Sequence, residues 1–216
     1  MDDRSRIIAA VQSGKADELR ALLAKDPSLA AAANEQGVSA IMLALYHHQA
    51  EALKLLAAVH PDLNLFESAA TGDVSRLRLL LDESPASISS YSADGFTALH
   101  FACFFAREAA AVLLLERGAD VAAVAQNSMR VMPLHSAAAA RNVAVVRALL
   151  DHGAPANARQ QGGWTSLHAA AQHGDREIAE LLLKHGADRK LMNDEGITAS
   201  ALAEKNGHKA LAELLA

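Results

Sequence analysis

A short motif recurs through the second half of this chain at a nearly constant spacing. Its copies are GFTALHFA at 95–102, VMPLHSAA at 131–138, GWTSLHAA at 163–170 and GITASALA at 196–203. The residues on which they align lie 35, 33 and 33 positions apart: Thr97, Met132, Thr165 and Thr198. Such a period indicates an array of stacked repeats, because a unit of about 33 residues cannot bury its apolar face alone.

Each copy continues into the pattern of two short amphipathic helices joined by a turn. In the copy that begins at 163, the pattern predicts helices over 166–172 and 176–184. Ile178, Leu181 and Leu182 fall on one face of the second helix, so we expect that face to be buried.

One slot in the turn between the two helices calls for a left-handed backbone. Gly174 and Gly207 occupy it in two copies, and glycine adopts this conformation without steric cost. His48, Ala106 and Arg141 occupy the same slot elsewhere, where a side chain costs about 1 kcal/mol or more. We therefore expect local strain or a shifted turn at these three residues.

Weaker copies extend the pattern toward the N-terminus, and together the copies resemble the ankyrin repeat in period and in the motif around Thr97. The resemblance implies an all-α solenoid of stacked helix-turn-helix units with β-hairpin fingers between them. The period shortens to 24 residues between the second and third units, so a finger is expected to be missing between His60 and Phe66. We expect one domain over 1–216, with seven units of which the first and third are degenerate: 4–34, 35–62, 63–91, 92–126, 127–159, 160–192 and 193–216.

Composition excludes several functional classes. The 20 basic and 25 acidic side chains give a net charge of −5, which disfavours binding to nucleic acid or anionic lipid. No apolar run is long enough for a signal peptide or a membrane span, and the single cysteine, Cys103, cannot form an intrachain disulfide. The sequence therefore predicts a cytoplasmic protein with no membrane or nucleic-acid partner, either a monomer or weakly self-associating.

Catalytic and metal-binding motifs are not found in the sequence. Cys103 lies on the small apolar stripe of its helix, so we interpret it as an inert structural thiol. Of the ten histidines, His100, His135 and His168 recur once per unit, and the resemblance implies that each ties its helix to a finger through backbone hydrogen bonds. We expect no enzymatic activity, no cofactor and no metal site.

The aromatic residues are concentrated on one predicted surface. The first helix of the unit 92–126 has a small apolar stripe and a second stripe formed by Phe101, Phe104 and Phe105. Equivalent positions of the second stripe elsewhere hold Lys205 and Gln172, so we expect that stripe to face solvent in a groove. The resemblance implies that fingers and first helices line a concave groove that binds a partner protein.

Arginines cluster beside these rings. Arg130 and Arg159 fall in fingers, and only one acid, Asp151, lies between Val121 and Gly174. We predict a protein partner with an apolar segment flanked by acidic residues, bound by a scaffold or regulator. The candidate binding residues are Tyr46, Tyr91, Phe96, Phe104, Phe105, Met129, Arg130, Val131, Arg159, Trp164, Gln172, His173 and Ile197.

Two alternatives remain open at the sequence level. The rings could simply pack against the fingers and fill the floor of the groove, and the arginines could merely solvate the surface. The second alternative is an enzyme or small-molecule binder with a pocket at the shortened junction. Convergent acid and base residues would favour it, but the junction has mainly Asp62, Asn64 and Glu67, which occupy ordinary repeat positions.

Overall fold

The computed structural model describes residues 2–60 and 62–216, and these residues form an all-α array of helix pairs, which confirms the expected fold class. The helices are α1 (Asp3–Gln12), α2 (Ala16–Lys25), α3 (Ala40–Tyr46), α4 (Ala50–Val59), α5 (Leu65–Thr71), α6 (Val74–Glu83), α7 (Ala98–Phe104), α8 (Glu108–Glu116), α9 (Pro133–Ala139), α10 (Val143–Asp151), α11 (Ser166–His173), α12 (Arg176–Lys184), α13 (Ala199–Lys205) and α14 (Lys209–Leu215). Short 3-10 helices lie at Pro27–Ala31, Pro85–Ser89 and Gln161–Gly163. Across the described part of the chain, every helix is too short or too polar to cross a bilayer.

The helices stack in two layers. Each odd-numbered helix contacts the next odd-numbered helix along the chain, from α1 to α13, and even-numbered helices such as α8, α10 and α12 contact one another in the same way. The interior between the layers is continuous and consists of leucine, isoleucine and alanine. Its largest fully buried side chains include Ile41, Leu99, Leu134 and Leu167 from the odd layer and Leu56, Leu114, Leu149 and Ile178 from the even layer.

The helical periodicity of α12 matches its burial. Ile178, Leu181 and Leu182 are buried as the pattern predicts, while Arg176 and Glu180 on the other side form an exposed ion pair at 2.7 Å. Such amphipathic stripes hold the even helices against the odd layer, and the opposite face remains in water.

The turn inside each helix pair adopts the left-handed conformation at one residue. Glycine occupies this position at Gly14, Gly72, Gly174 and Gly207. The strain expected at the three non-glycine residues is confirmed, because His48, Ala106 and Arg141 have φ angles of 53°, 55° and 58°.

The fingers are segments 34–38, 92–96, 127–131, 160–164 and 193–197, and each is a tight turn between two extended connectors. In the first, the Gly37 amide donates to the Asn34 carbonyl and the Asn34 amide donates to the Val38 carbonyl. The described residues form only two isolated β-bridges, between Ala33 and Ser39 and between Met192 and Thr198. The fingers are thus shorter than the expected β-hairpins, since only one or two backbone pairs close each turn.

The fourth residue of each finger also has a positive φ, and four of the five are glycines. Gly95, for example, has φ 84°, and a Cβ there would lie 2.9 Å from the backbone of Gln126. The exception is Arg130, with φ 49°. A side chain at this position is strained, and the glycines aligned with Arg130 in the other copies are the sequence signal for it.

The connector between α4 and α5 spans only residues 60–64, of which Pro61 lies outside the described residues, so the shortened period leaves no length for a finger there. The neighbouring fingers 34–38 and 92–96 come together across the gap. A Cβ added at Gly37 would lie 3.0 Å from the Cβ of Ala93. Residues of two units that are not adjacent in sequence thereby become neighbours.

Candidate functional site

Buried histidines join the odd helices to the fingers. The Nδ1 atom of His100 accepts from the Thr97 amide at 3.3 Å, and that of His135 accepts from the Met132 amide at 2.9 Å. Because Nδ1 accepts, Nε2 carries the proton and donates to a carbonyl of the next connector, from His100 to Val131 at 3.1 Å and from His135 to Ala158 at 2.9 Å.

His168 repeats the arrangement, with its Nε2 atom 3.0 Å from the Ile197 carbonyl. Burial lowers the pKa of His100 to about 4, and it also lowers the pKa of His135 and of His168. These side chains are therefore neutral near pH 7. The role implied for them by the family resemblance is present in this structure, because the three rings tie fingers 127–131 and 193–197, and the connector before finger 160–164, to the helix layer.

A cavity of about 400 Å³ lies where the fingers meet α7 and α9, and we call it the groove cavity. Its walls are mostly apolar and aromatic. The lining residues are Tyr46, Asp94, Phe96, His100, Phe101, Phe104, Met129, Val131, His135, Ser136, Ala139 and Gln160. An apolar cavity with a few polar groups is the usual form of a binding pocket.

Five of the residues predicted from the sequence line the groove cavity. They come from α3, from α7 and from two different fingers, and they are Tyr46, Phe96, Phe104, Met129 and Val131. Phe104 is 48% exposed and Met129 is 46% exposed, so both present large apolar surfaces to solvent. Because both line the same cavity, their apolar surfaces lie together and form a candidate contact area.

The expectation that Phe101 faces solvent is wrong, because it is only 3% exposed. Its ring packs edge-on against Phe66 at 6.0 Å and against Phe96 at 5.6 Å, with distances between ring centroids. The first position of the second stripe is buried in other odd helices too, at Leu43 and Leu202. The stripe therefore turns outward only from its second position, where Phe104 lies.

Phe105 lies beside the groove cavity instead of lining it. Its ring contacts Phe104 at 5.0 Å and Tyr46 at 5.8 Å between centroids. Together with Phe104 it borders a shallower depression next to the turn at Ala106. The ring of Phe105 thus supports the exposed ring of Phe104.

The remaining predicted residues lie farther along the concave surface or behind it. The Tyr91 hydroxyl donates to the Val124 carbonyl at 3.2 Å, and this bond joins two connectors. Trp164 is half-buried against His168, with 5.7 Å between ring centroids, and Ile197 is half-buried in the last finger. Gln172 and His173 are exposed at the end of α11.

Most of the clustered arginines form ion pairs with acidic side chains about one repeat further along the chain. Arg141 pairs with Asp175 at 2.6 Å, Arg147 with Glu177 at 3.6 Å and Arg159 with Asp194 at 3.2 Å. Arg130 forms no ion pair with any residue that the structure describes. The positive charge predicted for this region is therefore largely compensated within the chain, and Arg130 is the exception.

The residues at the shortened junction have structural partners. Asn64 and Glu67 cap the N-terminus of α5 reciprocally, and the Asn64 amide donates to Oε2 of Glu67 at 2.9 Å. Asp62 lies 3.8 Å from Arg76. These polar groups thus cap a helix or pair on the surface, although a cavity of about 360 Å³ does lie at this junction, with Asn64 and Phe66 in its lining.

Cys103 is completely buried in α7, and burial raises the pKa of its thiol. In residues 2–60 and 62–216, no three His, Cys, Asp or Glu side chains are grouped closely enough to hold a metal ion.

The residue missed by sequence reasoning is Asp94. It lies in finger 92–96, and its Oδ2 atom accepts from the Tyr46 hydroxyl at 2.5 Å. Burial, with a smaller effect of this hydrogen bond, raises the pKa of Tyr46, so the phenol is neutral and donates. The only signal in the sequence was the missing finger, which brings Tyr46 and Asp94 together although 48 positions separate them.

Comparison with known proteins agrees with this architecture. A family model described as an ankyrin repeat matches residues 94–126, and one described as ankyrin repeats in three copies matches residues 123–193. The B-cell lymphoma 3 protein homolog of Mus musculus is 34% identical over 136 residues, which are 63% of this chain and 25% of that protein. The chain thus spans about a quarter of the length of this relative. The family models identify residues 94–193 as ankyrin repeats, and the helix pairs on either side of them continue the same stack.

Proposed function

We propose that this protein is an interaction module that binds a partner protein through its concave surface, as a scaffold or regulator. The observation that carries the proposal is the groove cavity, which is open, apolar and bordered by exposed Phe104 and Met129. Aromatic and methionine side chains are enriched at the centres of protein interfaces, because they lose much apolar surface to water on binding and form close contacts.

We also infer that the chain is divided into seven units, one for each helix pair, and that units four to seven supply the binding surface. The same left-handed turn position in every pair of the described residues supports the division into units that begin near residues 4, 35, 63, 92, 127, 160 and 193. Stacked units with fingers on one side create an extended concave surface, and a partner segment can lie along it.

Arg130 supplies the acidic preference in this proposal. It is exposed at the tip of finger 127–131, next to Met129, and has no ion pair in the described structure. Its left-handed backbone is strained, whereas the equivalent residues of the other four fingers are glycines. An arginine kept at a position where glycine would relieve the backbone strain suggests a functional role for its side chain. We propose that a carboxylate of the partner pairs with Arg130, and that Arg159 contributes less because Asp194 already neutralises it.

The test is co-purification of the native protein with its partner, followed by a binding measurement with purified components. Replacing both Phe104 and Met129 with alanine removes the two exposed apolar anchors, and we expect the partner's Kd to rise at least tenfold. Loss of an interface hot spot typically costs about 2 kcal/mol or more, which agrees with that change.

Leu79→Ala is the matched control. Leu79 is 54% exposed but lies on α6, in the even layer away from the fingers. The Leu79→Ala variant should leave the affinity for the partner unchanged. A partner that binds wild type, the double variant and Leu79→Ala with equal affinity would show that the groove is not its binding site.

A further inference from the structure

Asp94 occupies a distinctive position on the concave surface. It lines the groove cavity on one side and, on the other, a second cavity of about 360 Å³ that fills the gap between fingers 34–38 and 92–96. The residue is half-buried. Among the residues that line the groove cavity it is the only one with a carboxylate, and Tyr46, Phe96 and Phe104 supply rings around it.

The carboxylate of Asp94 is held firmly but not neutralised. Oδ2 accepts from the Tyr46 hydroxyl at 2.5 Å, and Oδ1 accepts from the Ser92 hydroxyl at 2.6 Å. No lysine, arginine or histidine of the described residues lies within ion-pairing distance of it. The two lining histidines cannot serve as cations, because burial lowers their pKa and their ring nitrogens are engaged with the backbone.

Two features of this carboxylate suit a particular cation. Each oxygen offers two acceptor positions, so after the bonds from Tyr46 and Ser92 each oxygen keeps one free. A carboxylate with one acceptor position left on each oxygen can accept two N–H groups from one guanidinium, whereas an ammonium group acts as a single point charge. Guanidinium groups also stack on aromatic faces, and the apolar stem of arginine packs well against rings.

We propose that the groove cavity receives an arginine side chain of the partner protein, with its guanidinium paired to Asp94 and its stem among Tyr46, Phe96 and Phe104. The inference rests on the proposed binding function and specifies the partner's chemistry. Arg130 lies between Met129 and Val131, which line the same cavity. The partner segment therefore carries arginine at the Asp94 end, apolar residues next, and an acidic residue toward Arg130.

A phage library of random dodecapeptides, panned in parallel on the wild-type protein and on Asp94→Asn, tests the inference. We expect arginine to be at least threefold more frequent in peptides selected on wild type than in the unselected library, and this enrichment to be lost on Asp94→Asn. Glu116→Gln is the matched control, because it makes the same change in net charge at an exposed residue of α8, and it should preserve the enrichment.

A selected peptide then provides a test on the unmodified protein. Replacing its arginine with citrulline keeps the shape and removes the charge, and we expect its Kd on wild type to rise at least tenfold. The citrulline substitution should have little effect on Asp94→Asn, whose folding is verified by circular dichroism. A lysine peptide that binds as tightly as the arginine peptide would overturn the assignment to arginine.

Failure of this inference can be told apart from failure of the proposed function. Peptides without a basic residue that lose affinity on Phe104→Ala but not on Asp94→Asn would refute the arginine site and leave groove binding intact. If no selected peptide is sensitive to Phe104→Ala, both proposals fail.

Discussion

At the scale of single residues, four non-glycine residues have a strained left-handed backbone, and they lie in two different places. His48, Ala106 and Arg141 lie in turns between the two helices of a pair, where three helix pairs tolerate the cost. Arg130 lies at a finger tip beside the groove cavity, where every sister position is glycine. The cost is similar in both places, about 1 kcal/mol, but only the finger tip combines it with an exposed and unpaired charge.

Arg130→Gly should therefore have opposite effects on stability and binding. We expect the free energy of unfolding to rise by about 0.5–1 kcal/mol, because glycine removes the strain but loosens the unfolded chain. Partner affinity should fall, since the charge facing the partner is lost. Urea unfolding and a binding titration measure the two effects.

Ala106→Gly is the control for this prediction. It relieves the same kind of strain at the turn between α7 and α8, so it should stabilise by a similar amount and leave affinity unchanged. If Arg130→Gly binds the partner as tightly as wild type, Arg130 has no part in recognition.

At the scale of secondary-structure elements, neutral histidines couple three odd helices, α7, α9 and α11, to the connectors that follow them. His100, His135 and His168 each bridge from a helix start to a connector about one repeat away, through bonds that require the neutral ring. Protonation would replace the Nδ1 acceptor with a donor that faces a backbone amide. The position of the fingers, and hence the shape of the groove, depends on these rings remaining neutral.

This coupling predicts that stability falls as the pH falls from 7 to 5. The folded-state pKa of each histidine is lowered, whereas in the unfolded chain it is near the ordinary value of about 6.5, so the unfolded chain binds more protons in this range. For His100, with a folded pKa of about 4, the loss at pH 5 is about 2 kcal/mol. Urea unfolding at pH 7, 6 and 5 measures this loss of stability.

His100→Gln separates the titration from the packing of the ring. This variant should be less stable than wild type at pH 7, because the bonds to Thr97 and Val131 are lost, but its stability should depend less on pH. An unchanged pH dependence in His100→Gln would mean that other groups cause the acid sensitivity.

At the scale of the whole molecule, the array is held together by contacts between neighbouring helix pairs. The odd helices touch in sequence, and ion pairs such as Arg117 with Asp82 and Arg141 with Asp175 link one pair to the next. In such a linear arrangement, stability is approximately a sum of unit and neighbour terms. A destabilising substitution in one unit should therefore lower the stability of that unit and its neighbours more than that of distant units.

Leu167→Ala is predicted to destabilise the array locally. Leu167 is buried in α11, and removing its side chain leaves a cavity that costs about 2–5 kcal/mol. Hydrogen exchange should show faster amide exchange in α9 to α13, while α1 to α4 remain protected. A uniform loss of protection from α1 to α14 would contradict a nearest-neighbour description.

Much of the architecture was determined by the sequence alone. The period predicts the paired helices, the apolar spacing predicts which face of α12 is buried, and the turn glycines predict the strained residues at His48, Ala106 and Arg141. These features are local, because they depend on residues within one helical turn or one repeat. The predicted exposure of Phe104 also follows from comparing equivalent positions between units.

Only the tertiary structure decided the chemistry of the candidate site. The burial of Phe101 depends on Phe66 and Phe96, the neutralisation of Arg159 depends on Asp194, and the anchoring of Asp94 depends on Tyr46 from a unit two places earlier. The physical reason is the same in each case. Which side chains meet across the stack is set by how units rotate and pack on one another, and a missing finger changes those neighbours without leaving any local mark at the residues concerned.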